Sequence, residues 1–196
     1  MKKQTIAFLI LIFMAAGLAA ESGYKGIPWG SNEAIVEFYE GTKQTPINLS
    51  ADGNKIKVYK KIMLGDETNV FYLMSGDIGL LGVFYITSNK NNEKLTFNLK
   101  SKNKFQELPF FKDKNDEMRK ATREVIDDEM MVELSVGLYI YSFAGELETN
   151  GRFENEMKGD GLLSIYDYND DTRLYIFENV IPDITIVGYI PHIDDF

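Results

Sequence analysis

The chain carries one histidine, His192, and no cysteine. A thiol nucleophile, a disulfide framework and a histidine-rich metal centre are excluded by residue type alone. His192 stands beside Pro191, and no Gly-x-Ser-x-Gly turn presents a serine anywhere in the sequence. It is read as neither catalytic nor metal-binding. Carboxylates are the remaining candidates: Asp127-Asp128-Glu129, Asp170-Asp171 and Asp194-Asp195 are adjacent groups. Two carboxylates flanking a sugar are the machinery of a glycosidase, but adjacency in sequence does not position such a pair. Hard cations need several converging oxygens, and the nearest approach to a calcium loop, Asp167-Tyr168-Asn169-Asp170-Asp171, lacks the turn glycine and the distal glutamate. That segment is read as a solvated turn. No catalytic, cofactor-binding or metal-ligating residue is assigned, and no cofactor is expected.

Aromatic residues offer recognition instead of catalysis. In Phe71-Tyr72 and Phe84-Tyr85 the two rings of each pair must project to opposite faces of a strand. Together with Tyr139, Tyr141, Phe143, Tyr166, Tyr168, Tyr175, Phe177 and Tyr189, such rings can line a groove for a peptide, a glycan or a partner strand. As ordinary strand residues they more simply pack between sheet and helices, which is the reading adopted. Trp29, the only tryptophan, directly precedes a helix start, with Gly30 permitting a tight entry, and is read as structural.

The elements that must position these groups follow from period and punctuation. Ser31 as cap, Glu33 in the first turn and Gly41 as stop predict a short helix from Asn32 to Glu40. From Lys55 the period becomes two, with Ile56 and Val58 apolar. Val70 to Met74 and Leu80 to Ile86 read as a hairpin about Ser75-Gly76-Asp77-Ile78-Gly79, and Leu95, Phe97 and Leu99 as a further strand. Phe105 to Phe111 is an apolar knot broken by Pro109. Lys112 to Asp128 is charged, with Met118, Ala121 and Val125 at helical spacing, and predicts an exposed helix. Strand character returns at Met130 to Val136, Leu138 to Phe143, Leu162 to Tyr168, Leu174 to Phe177 and Ile184 to Ile190. A polar loop or hairpin tip is expected between Gly145 and Gly161, and a turn at Asn169-Asp170-Asp171. The expected fold is α+β: a largely antiparallel sheet with helices packed on one face, with two small α+β halves at 21–103 and 104–196 as its variant.

The beginning of the chain has a different character. Lys2 and Lys3, the apolar stretch Ile6 to Met14 and the small residues of Ala15 to Ala20 follow the order a signal peptidase reads. Cleavage after Ala19 fits slightly better than cleavage after Ala20. Ile6 to Ala20 falls short of the roughly 20 residues that cross a bilayer. Residues 1–20 are therefore expected to be a signal peptide and 21–196 a single exported domain, periplasmic or secreted, with no transmembrane segment in the mature chain. No lipid-bearing cysteine follows the leader, so a released product is expected. The formal net charge of −9 disfavours nucleic acid and anionic membrane surfaces as partners.

Gly26-Ile27-Pro28-Trp29-Gly30-Ser31-Asn32-Glu33-Ala34-Ile35-Val36, continuing to Gly41, resembles the opening of uncharacterised exported bacterial proteins with a Gly-x-x-Trp-Gly-x-Ser/Thr helix entry. Ile165 to Phe177 and Ile186 to Pro191 are similar to the final strands of the same group. The opening also resembles the small outer-membrane-assembly lipoproteins of the SmpA/OmlA type and the fold of the β-lactamase inhibitor protein. The resemblance implies short helices on an antiparallel sheet and action by binding proteins. It carries over no functional residue. The expected function is a non-catalytic envelope or periplasmic protein that binds a protein or cell-wall partner. The alternative is a secreted hydrolase using paired carboxylates.

Overall fold

The computed structural model describes residues 23–41, 45–51, 53–63, 65–90, 105–110, 128–157 and 161–192. The expected leader at 1–20, the strand at Leu95 to Leu99, the charged segment up to residue 127 and the Asp194-Asp195 pair lie outside them.

Helix α1, Glu33–Glu40, forms where its signals place it. Its cap is Asn32 in place of Ser31. The Asn32 side-chain oxygen accepts from the Ile35 N–H at 3.1 Å, whereas the Ser31 hydroxyl turns back to donate to the Pro28 carbonyl at 2.6 Å. Asn32 has the extended backbone a cap requires, with φ −74° and ψ 171°. Strands β1 (Ile47–Ala51), β2 (Asn54–Met63), β3 (Asp66–Ser75) and β4 (Gly79–Ser88) then follow as a meander of antiparallel pairs.

The Ser75 to Gly79 hairpin also receives the N-terminal segment. Gly30 N–H donates to the Leu80 carbonyl at 3.0 Å and Leu80 N–H to the Ser31 carbonyl at 2.9 Å. Gly79 sits at φ +91°, and a Cβ there would stand 2.3 Å from the Gly30 carbonyl oxygen. Only glycine meets both demands.

In the second half, β5 (Phe105–Phe110) precedes α2 (Asp128–Thr149), the short α3 (Phe153–Glu156), β6 (Gly161–Asn169), β7 (Thr172–Glu178) and β8 (Ile184–Pro191). Pro109 is accommodated because β5 is the last of the described strands in the sheet, bonded to β6 alone among them. The described strands form one eight-stranded sheet in the order β1-β2-β3-β4-β8-β7-β6-β5, every pair antiparallel. The strands before residue 104 make one half of the sheet and those after it the other, meeting at β4 and β8. The fold is thus a sheet-dominated α+β structure.

Two expectations are corrected. Met130 to Val136 and Leu138 to Phe143 are not strands but parts of one 22-residue helix, α2. Its sequence is apolar on all sides and rich in β-branched and aromatic residues, so neither period stands out. Tertiary packing decides: a Cβ at Gly137 would stand only 3.3 Å from Tyr175 and Ile190, a closeness that lets the helix lie down on β7 and β8. The helix runs through Gly145 to Thr149, and with α3 it takes up part of the expected loop.

The second correction concerns the faces. Ile56, Val58, Phe71, Leu73, Phe84, Tyr175 and Ile186 pack with Leu134, Ile140 and Ala144 of α2. Their strand neighbours Tyr59, Val70, Tyr72, Tyr85, Leu174 and Val187 pack with Val36 of α1 and with Tyr24 and Ile27. The helices therefore cover opposite faces of the sheet, not one. Strands apolar at both parities, such as Val70 to Met74 with every residue buried, require this cover on both sides.

Candidate functional site

α2 lies over β4, β8 and β7, and beyond its C-terminal turn no described helix covers the same face of the sheet. A groove of about 610 Å³ lies there, within the size range of ligand sites. Its floor is Ile47 and Leu49 of β1, Val58 of β2, Phe71 of β3 and Ile86 of β4, and Leu147 of α2 forms a wall. Each floor residue reaches the groove because strand alternation turns its parity toward α2. Phe71 stacks on Phe84 with ring centroids 4.7 Å apart and planes 5° from parallel, which fixes the floor to the core. Ile47 is 59% exposed and Leu147 38%, so the groove presents apolar surface to solvent that packing does not use.

Among the described residues its polar border is made by Asp66, Glu67 and Glu148 with Thr68, Asn69, Thr87 and Ser88. A second groove of about 690 Å³ shares Ile47 and Glu67 and continues past Lys60, Lys61 and Ile62 on the outer edge of β2. Lys60 pairs with Glu67 at 3.3 Å and Lys61 with Glu40 at 2.5 Å.

On the opposite face charge serves attachment. Lys57, 4% exposed, lies 3.0 Å from Glu33 and 2.8 Å from Glu37, and Lys55 pairs with Glu33 at 2.7 Å. Hydrogen bonds from Lys55 and Lys57 hold the Glu33 carboxyl below its ordinary range. Burial opposes the charge on Lys57, but its bonds to Glu37 and Glu33 outweigh burial and raise its value. Glu40 accepts from Lys61 and from the Tyr72 hydroxyl. Since α1 turns its glutamates to the sheet, Ile35, Phe38 and Tyr39 face outward, Phe38 being 79% exposed.

Beneath α1 and the segment before it lies a packed group of tyrosines, Tyr24, Tyr59, Tyr72, Tyr85 and Tyr189, each under 5% exposed. Burial pushes the Tyr85 hydroxyl up to about 12, and burial likewise raises Tyr24, Tyr72 and Tyr189. These phenols are neutral fillers of the core, not acids or bases poised near neutrality.

The residues singled out in the sequence are placed as follows. The turn Asn169-Asp170-Asp171 is a fastening: the Asp171 carboxylate accepts from Gly23 N–H at 2.8 Å and from the Thr172 hydroxyl at 2.7 Å. Trp29 donates through its indole N–H to Thr172 Oγ1 at 2.9 Å, so it is a structural staple, as expected. His192 directly follows β8, its backbone N–H bonded to the Asp171 carbonyl at 2.9 Å. Phe71 and Phe84 face α2 and Tyr72 and Tyr85 face α1, all buried. Of the groove floor, Ile47 and Leu49 escaped sequence reading because β1, Ile-Asn-Leu-Ser-Ala, is short. The alternation of Ile47 and Leu49 was its one signal. Among the described residues no group of three or more His, Asp or Glu side chains is placed to hold a metal ion, and no helix is long and apolar enough to cross a membrane. Compared with protein families, curated proteins and solved structures, the chain matches none significantly.

Proposed function

We propose that this is an exported binding protein, one domain with a two-part build, that holds a partner protein in the groove between β1, β3 and the C-terminal end of α2. The observation that carries the reading is the apolar floor with Ile47 59% exposed at its mouth, since surface of this kind marks interaction sites. The N-terminal order of charge, apolar stretch and small residues supports export, and the resemblance of 26–41 to exported proteins supports binding as the activity. Protein sequencing of the product from the producing cell should give a chain beginning at Ala20 or Glu21. Recovery of the intact leader would refute export. For the groove, a photo-crosslinking residue at position 47 should yield one discrete adduct that disappears when Leu49→Asp is added, while the same residue at Asp77 yields none. Equal labelling from both positions would refute the site.

A second reading, a hydrolase of paired carboxylates, draws on Asp66, Glu67 and Glu148 lining one groove. It requires glycoside or peptide turnover by the purified protein that Glu148→Gln abolishes with the fold intact. Turnover unaffected by that change would discard it.

A further inference from the structure

Helix α1 is amphipathic in the inverse sense, with its carboxylates toward the sheet and its larger apolar side chains away from it. Ile35, Phe38 and Tyr39 face outward, and Val36 is the one buried residue of the helix. Charge joins it to the sheet. Glu33, Glu37 and Glu40, at helical spacing on one side of α1, meet Lys55, Lys57 and Lys61, which alternation places on one side of β2. The side chains of Glu33 and Glu37 are 40% and 50% exposed, so water competes for these pairs and each contributes little. An eight-residue helix does not hold its shape alone. By contrast, α2 buries Leu134, Ile140, Tyr141 and Ala144 against the other face of the sheet.

Both flanks of α1 are fastened independently of it. Upstream, Gly30 and Ser31 share backbone hydrogen bonds with Leu80, and Trp29 is tied to Thr172. Downstream, β1 is in register with β2 from Ile47, opposite Val58. Beside α1, in the same buried cluster as Val36, lie Tyr59 and Tyr72, and the Tyr72 hydroxyl donates to Glu40. We infer that α1 is a charge-held strap: it leaves the sheet as a unit while the strands beneath stay paired, and its departure uncovers Tyr59 and Tyr72. Segments held by few apolar contacts open at lower free energy than the core, and ion pairs reached by water are the contacts that salt weakens. The strap lies on the face opposite the groove, so it stands or falls independently of the binding reading.

Backbone hydrogen exchange on the purified protein without its leader, read by mass spectrometry, tests the strap. Residues 32–41 are compared with 70–74 of β3 and 185–190 of β8. The α1 amides should be at least about a hundredfold less protected than the two reference strands, and their exchange should not respond to low denaturant, because little surface is exposed in the opening. Glu33→Gln combined with Glu37→Gln, two changes at half-exposed positions, should speed α1 exchange about tenfold. On the unchanged protein, raising salt from about 0.05 M to about 0.5 M should act in the same direction. Phe84→Leu, in the core of the other face, should speed exchange in β3 and β8 and leave α1 unchanged. Exchange of α1 and the reference strands at one common protection, shifted together by Phe84→Leu, would overturn the inference, since α1 would then open only with the whole fold. Separate exchange of α1 that neither the glutamine changes nor salt alters would overturn the assignment of charge as what holds it.

Discussion

At the scale of single residues the buried charges make the sharpest predictions. Glu133 is 1% exposed and pairs with Arg173. Glu133→Ala would leave the guanidinium, whose side chain is 12% exposed, with the more exposed Asp167 at 3.4 Å, and should cost about 3 kcal/mol in denaturant unfolding. Glu133→Met with Arg173→Met should recover most of it. Lys57 behaves differently because its glutamates are half-exposed: Lys57→Met should cost only about 1 kcal/mol at neutral pH. The pH dependence is more telling. Glu33 is depressed in the folded state from 4.5, so its contribution is complete above that value and lost as pH falls through the depressed one. Lys57 is raised from 10.5, so its contribution is complete below that value and lost as pH rises past the raised one. Thermal unfolding followed across pH should therefore show stability falling at both extremes, and Lys57→Met should flatten both flanks. An acid flank identical in the two proteins would show that Lys55 alone, and not Lys57, holds Glu33.

At the scale of elements, packing explains both what was legible and what was not. α1 was readable because a cap, an acidic first turn and a glycine stop are local signals, and the strands of both meanders because period two is local as well. α2 was unreadable as a helix because its identity lies in what it touches. Gly82 and Gly137 open space for Ile140, Ile190 and Tyr175, contacts between segments far apart in sequence. The groove was invisible for the same reason, since its floor comes from four strands and its wall, Leu147, from a stretch that reads as a polar loop. Gly145 tests this account. A Cβ there would stand 2.4 Å from the Phe153 ring, which packs edge-on against Tyr141 at 4.9 Å. Gly145→Ala should improve helix propensity by roughly 1 kcal/mol in isolation. The protein should instead lose about 1 to 3 kcal/mol, because α3 must move. A stabilised variant would mean that α3 does not pack where it is described.

For the whole molecule, the continuous sheet makes β4 and β8 the seam between the halves. Phe84, 1% exposed and stacked on Phe71, belongs to the seam strand β4. Phe84→Ala should cost about 3 to 5 kcal/mol and destabilise both halves together, so that probes placed on β2 and on β7 still report one transition. Separated transitions would mean that the halves stand alone. The fastening of the N-terminal segment has a consequence in time as well as in space. The bond from Gly23 to Asp171 spans 148 residues of sequence, and Trp29 is tied to Thr172 across 143. Contacts of such separation pay the largest loop-closure entropy and are the slow ones to form. Because Trp29 is the sole tryptophan, its fluorescence is a private clock for this closure. In refolding it should lag the far-ultraviolet signal of the sheet, and a chain ending before Asp171 should never set it.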